Sequence, residues 1–91
     1  MLMLLISLFA CATENRENDI LALSGDVANG EALFATCSGC HGADGAGDEN
    51  IQGEGGRGAL ETILYGEDGM PAYEGWADQD LADVLAYVET L

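Results

Sequence analysis

Cys37-Ser38-Gly39-Cys40-His41 constrains what this chain can become more than any other stretch. Two thiols two residues apart come to one side of a single turn, and the histidine directly after the second sets an imidazole beside them. That is the pattern of a covalent haem site: the thiols add across two vinyl groups, and the histidine supplies the proximal nitrogen to the iron. Two other chemistries use paired cysteines. Structural zinc takes four ligands, yet the chain has one histidine and three cysteines, the third being Cys11 in an apolar leader. A thioredoxin-type pair opens a helix after a strand, whereas no β-branched run precedes Cys37 and His41-Gly42 follows the pair. A Cys-Cys-His set lacks a convincing fourth ligand for zinc, and haem attachment is the reading the pattern favours.

A haem also answers a size problem. The chain has 91 residues, enough for one small domain, and the part after the leader lies near the lower limit for a self-sufficient core. Small scaffolds need a staple. One haem c, tied at Cys37, Cys40 and His41 and wrapped by the chain, is that staple. Met70-Pro71 offers a thioether for the iron's second axial position. Met1 and Met3 lie in the leader, so Met70 is the methionine available as distal ligand. An isolated methionine is usually core filler; the preceding Gly69 and following Pro71 favour the ligand role. A histidine/methionine pair raises the reduction potential of the iron.

Residues 1–10 (MLMLLISLFA) form an apolar run too short to span a bilayer and of the length of a signal-peptide core. Leu8-Phe9-Ala10-Cys11 resembles a bacterial lipobox, which predicts cleavage before Cys11 and lipid attachment there. A plain secretory signal and an uncleaved anchor are the competing readings. On the first, every cysteine has one use, a lipid or a thioether. The expected location is periplasmic or extracytoplasmic, on an N-terminal lipid anchor in the membrane. Residues 11–24 read as a flexible tether, reaching on the order of 40 Å when extended, with Ile20, Leu21 and Leu23 as candidates to dock. Residues 25–91 form the domain.

Seventeen acidic residues stand against Arg16 and Arg57, for a net charge of −15. Nucleic-acid binding needs a basic face and is excluded. The charge serves solubility, or it steers the protein toward a basic docking patch on a redox partner.

Hydrophobic periodicity predicts helices only. Asp26 is the expected N-cap of a first helix that carries Val27, Gly30 and Phe34 on one face. Glycine inside a helix is unfavourable by about 1 kcal/mol relative to alanine, so Gly30 calls for a close helix crossing. The glycine-rich run from Gly42 to Gly58 reads as loop. Ala59–Tyr65 is a short helix presenting Leu60, Ile63 and Leu64. Asp78–Leu91 is the clearest helix, with Leu81, Val84, Leu85 and Val88 at i, i+3, i+4 and i+7. No stretch alternates as a strand should, so the fold class is all-α.

From Gly25 onward the chain resembles the small bacterial monohaem cytochromes c. The resemblance rests on Gly25-Asp26, Gly30 and Leu33-Phe34 before the Cys37–His41 motif, then Met70-Pro71, then Asp78-Gln79-Asp80-Leu81, Val84 and Tyr87-Val88. It implies a cytochrome c fold, three to four helices around one covalently bound haem c, with first and last helices crossing through Gly30, Phe34, Val84 and Tyr87. It implies Cys37, Cys40, His41 and Met70 as the haem-binding set. Ile51, Leu60, Leu64, Tyr65 and Tyr73 are expected in the haem pocket. Arg57 is either a partner for a haem propionate or a solvated loop residue. Two positions depart from the family pattern. Glu49 stands where a proline usually offers its carbonyl to the histidine's outer nitrogen; the Glu49 carbonyl can still accept there. Trp76 replaces a leucine before the last helix, where a packing role is expected.

The function expected is transfer of one electron at a time by a monomeric carrier, not an enzyme, since nothing resembles a general-base pair or a nucleophile constellation. The alternatives are a haem sensor or peroxidase-like enzyme whose methionine dissociates, and the haem subunit of a larger oxidoreductase.

Overall fold

A computed structural model describes residues 15–42, 44–47, 49–67 and 69–91, the side chain of Cys40 excepted. The leader and Cys11 lie outside the described residues. Among the described residues five helical segments follow in order: α1 at residues 15–22, α2 (Val27–Phe34), α3 (Ser38–His41), α4 (Gly56–Tyr65) and α5 (Asp78–Val88). Among the described residues there is no strand, only an isolated bridge between Glu67 and Met70. The all-α expectation holds.

Two of the helices start on visible caps. At α2 the Asp26 carboxylate accepts hydrogen bonds from the Ala28 and Asn29 amides at 3.0 and 3.2 Å, the N-cap expected of an aspartate. α4 begins at Gly56, earlier than Ala59, because α5 caps it from across the fold: the Gly56 amide donates to Glu89 Oε2 at 2.8 Å. Hydrophobic pattern alone carries no trace of such a tertiary cap. α5 opens after Ala77, whose extended backbone (φ −62°, ψ 147°) makes no side-chain cap; Asp78 and Asp80 instead place acidic charge in the first turn.

α2 and α5 cross closely, and Gly30 is what permits it. A Cβ at that position would lie 1.9 Å from the Asp83 carbonyl oxygen. One turn on, Phe34 meets Tyr87 with ring centroids 5.2 Å apart at 60°, a tilted pairing favoured by the ring quadrupoles. Asp83, buried between the helices, accepts from the Asp26 amide (2.7 Å), from Gln79 Nε2 (2.8 Å) and from Asn29 Nδ2 (2.7 Å). Burial pushes its carboxyl pKa up, but the three donors outweigh that and hold it below the usual value. Val27 departs from the expected face and is exposed.

α5 sits between two apolar clusters. Leu81 and Leu85 pack with Ile20, Leu60 and Leu64; Val84 and Val88 pack with Phe34 and, at the margin, with Cys37, Ile51 and Trp76. The stripe that reads as one face in sequence is thus shared between a solid core and the wall of a cleft.

The tether expected over 11–24 is corrected where it is described. Residues 15–22 are helical, with Ile20 only 1% exposed. Arg57 Nη1 donates to Glu17 at 3.2 Å and Arg57 also bonds Asn18. Burying Ile20 and pairing Glu17 repays the ordering of a short polar segment, and neither contact has a signature in local sequence.

Candidate functional site

The Cys37–His41 motif lies on one helical turn. Cys37 N–H donates to the Phe34 carbonyl at 2.8 Å, and His41 N–H donates to the Cys37 carbonyl at 3.1 Å, so the motif continues directly from the end of α2. Gly42 ends the turn at φ +77°, where a Cβ would also meet Gly47 N at 2.9 Å. The Gly47 amide then donates to the His41 carbonyl at 2.7 Å. This wraps the glycine-rich segment back under the histidine and carries Glu49 to its ring.

His41 Nδ1 lies 2.6 Å from the Glu49 carbonyl oxygen. A carbonyl only accepts, so Nδ1 carries the proton and donates it. The lone pair then resides on Nε2, the nitrogen free to bind a metal. A backbone carbonyl performs this task without a proline, as the chain's departure at Glu49 requires.

Cys37 and His41 line a cavity of about 270 Å³ with Met70 on its wall. Its apolar lining comes from Phe34, Ile51, Ile63, Tyr73, Val84 and Val88, with Trp76 beside Tyr73 at 4.8 Å between ring centroids. Burial pushes the Cys37 thiol pKa above its ordinary value. Met70 is presented by a tight reversal: its amide donates to the Glu67 carbonyl at 2.9 Å and the Glu67 amide returns a bond at 3.3 Å. Gly66, at φ +77°, lets that reversal close, since a Cβ there would lie 2.6 Å from the Met70 carbonyl oxygen.

Of the residues expected in the pocket, Ile51 and Tyr73 line it. Leu60, Leu64, Tyr65 and Arg57 do not, and the reason is the helical phase of α4. Its Ala59, Thr62 and Ile63 face the cavity, while Leu60 and Leu64 are fully buried against Ile20 on the opposite side. Tyr65 directs its hydroxyl to Glu17 at 3.4 Å, and desolvation, followed by the Glu17 charge, raises the tyrosine's pKa. Arg57 holds Glu17 and Asn18. Cavity residues unmarked in sequence include Glu54 and Thr62. α1 decides this: once a helix covers one side of α4, only the other side is left for the cavity. The side chain of Cys40 is outside what is described, and its role stays an expectation from the motif.

These residues fit a flat apolar prosthetic group with an iron at its centre. Cys37 stands at the cavity wall, His41 has a committed tautomer and a free Nε2, Met70 brings a thioether, and aliphatic and aromatic side chains make up most of the remaining wall, beside polar Glu49, Asn50, Glu54, Thr62 and Glu67. The turn after α2 and the short α3 deliver the thiol and imidazole, and the reversal at Glu67–Met70 delivers the sulfur.

Comparison with known proteins agrees with this geometry. Residues 25–88 match the family described as cytochrome c oxidase, cbb3-type, subunit III. A cytochrome c-554(548) of Halomonas halodenitrificans is 33% identical over 78 residues, spanning 70% of this chain and 94% of the relative. No solved structure matches the chain significantly. The match begins at Gly25, the start of α2's capping segment, and runs to the last residue of α5, so it encloses the whole cavity. With a family match across that span and a cytochrome c relative covered almost end to end, the chain belongs to the cytochrome c family, which implies a covalently bound haem c and a haem-based role in electron transfer.

Proposed function

We propose that this protein is a one-electron carrier with a single haem c, attached through Cys37 and Cys40 and held axially by His41 and Met70. The observation that carries the reading is the convergence of Cys37, His41 and Met70 on one largely apolar cavity, with the His41 Nδ1 proton given to the Glu49 carbonyl. When bound, the haem supplies a ferric/ferrous couple. The protein's own contributions are orientation and exclusion. The Glu49 carbonyl holds the proton on Nδ1 and the imidazole correctly turned; Phe34, Val84 and Val88 from the crossed helices keep water from one wall. The Glu67–Met70 reversal carries Met70 to the cavity wall, where its sulfur would serve as the distal ligand. With His41 and Met70 both holding the iron, small ligands would be refused, which would suit electron transfer rather than chemistry at the metal.

The acidic surface supports docking on a redox partner that presents a basic patch, with steering to the encounter. An extracytoplasmic location and a lipid on Cys11 follow from the leader reading. The family's oxidase-subunit description supports a second reading, in which the chain serves as the haem subunit of a larger oxidoreductase.

Carbon monoxide tests the carrier reading. The reduced holoprotein is expected to remain inert to it at neutral pH, and the ferric form to show the weak red charge-transfer band of methionine ligation. Prompt binding with no such band would replace the carrier with a sensor or peroxidase-like protein. Co-purification with a larger complex would favour the subunit reading.

A further inference from the structure

We propose that Arg16 is a positioning residue: it clamps the Met70–Trp76 segment over the cavity and so keeps the distal wall closed. Arg16 lies in α1, before the residues matched by the family. Its guanidinium nonetheless reaches three groups that follow Met70 in the chain. Nη1 donates to the Glu74 carbonyl at 2.7 Å, Nη2 to the Trp76 carbonyl at 3.0 Å, and Nε to Asp78 Oδ1 at 3.1 Å. Three donors of one planar fork are used on two carbonyls and a carboxylate, a geometry that lysine does not reproduce.

The segment held this way forms part of the cavity. Met70, Tyr73 and Trp76 all line it. Its tie to the preceding helix is the Tyr73 amide, which donates to the Ile63 carbonyl at 2.9 Å, and the Trp76 amide closes a turn onto the Tyr73 carbonyl at 3.0 Å. The Glu74 and Trp76 carbonyls point the other way, into the Arg16 fork. Without that fork the segment is anchored at its two ends and at Tyr73. α1 is itself fixed by Ile20 in the core and by Glu17 on Arg57, so Arg16 reaches from a braced element to a loop. Arg16 is half-buried and its Asp78 pair is partly exposed, so screening limits the ion pair; the two carbonyl bonds carry most of the clamp, each worth more than a neutral hydrogen bond.

The consequence rests on Met70 being the distal ligand. Opening of this segment is the motion that withdraws the sulfur and admits an external ligand, and Arg16 opposes it. The test uses the holoprotein with three variants: Arg16→Gln, Arg16→Lys, and Asp83→Asn, which weakens the α2–α5 contact away from this loop. Amide hydrogen exchange at Tyr73 and Trp76 reads loop opening directly, and the rate of carbon monoxide uptake by the ferrous protein reads sulfur withdrawal. Arg16→Gln is expected to speed both by about tenfold, a shift in opening of the size of one charge-assisted hydrogen bond. Arg16→Lys should fall between it and the parent, and Asp83→Asn should leave both rates near the parent's while lowering thermal stability. Unchanged exchange in Arg16→Gln, or equal acceleration in Asp83→Asn, overturns the clamp. Failure of the ligand reading looks different: the parent then lacks the red charge-transfer band, while exchange at Tyr73 and Trp76 still responds to Arg16.

Discussion

His41 and Glu49 show how one backbone atom decides a side chain's chemistry. The acceptor for the imidazole proton is the Glu49 carbonyl, at 2.6 Å from Nδ1, and the carboxylate is not called on. Glu49→Gln is therefore expected to retain the ring's orientation and to move the reduction potential only slightly; a large downward potential in the parent that vanishes in the variant would show the carboxylate acting on the ring instead. Met70→Ala is expected to abolish the red charge-transfer band of the ferric protein and to make the ferrous form bind carbon monoxide promptly. Persistence of the band would mean that another side chain is the ligand. The pentapeptide and Met70 were legible because each needs only local spacing to be recognised. Arg57 was not: its choice of Glu17 over the cavity depends on a helix that its own neighbourhood says nothing about.

Between elements, the α2–α5 crossing is the most sensitive contact. Gly30→Ala gains helix propensity of about 1 kcal/mol but drives a methyl into the Asp83 carbonyl, since the ideal Cβ lies only 1.9 Å away. Overpacking costs typically about 1–3 kcal/mol and more when backbone must move, so net destabilisation of about 2 kcal/mol and a Tm lower by about 10 °C are expected in thermal melts. Asp83 gives the same crossing a pH dependence. Its pKa is lower folded than the unfolded value of about 3.9, so its contribution to stability is present above that pH and is lost as pH falls through the folded pKa. Asp83→Asn puts an amide donor where Asn29 Nδ2 now donates. The variant should be less stable at pH 7, and the difference from the parent should shrink in acid melts. A constant difference down to pH 2 would assign the loss to packing. The glycine's purpose was readable from its odd place in a helix, whereas the start of α4 was not, because Glu89 caps it from the other end of the fold.

At the scale of the molecule, apolar clusters meet around a cavity rather than closing on one another. The Phe34–Val84–Val88 group has solid protein on one side only, so the fold should depend on the group that fills the space. The haem-free polypeptide is expected to lose most of its far-ultraviolet helical signal, and full helicity without haem would show that α1 and the first cluster suffice. The net charge of −15 opposes compaction, so salt should raise Tm. If the same charge also steers docking, electron exchange with a partner should fall steeply as ionic strength rises and the Debye length shortens from about 10 Å at 0.1 M to about 3 Å at 1 M. No salt dependence of that exchange would leave the charge to solubility.

The sequence by itself determined the haem motif, the all-helical class, the close approach at Gly30 and the candidate sulfur at Met70. Each is written in local spacing or in the identity of a single residue, and local rules of backbone and side-chain geometry suffice to read it. Tertiary structure alone decided which side of α4 faces the cavity, that residues 15–22 are a docked helix rather than a tether, and that both arginines hold α1 to the domain. Those outcomes depend on partners 39 to 62 residues apart in the chain, where burial of Ile20 and satisfaction of Glu17 and Arg16 outweigh the weak local preference of a short polar segment.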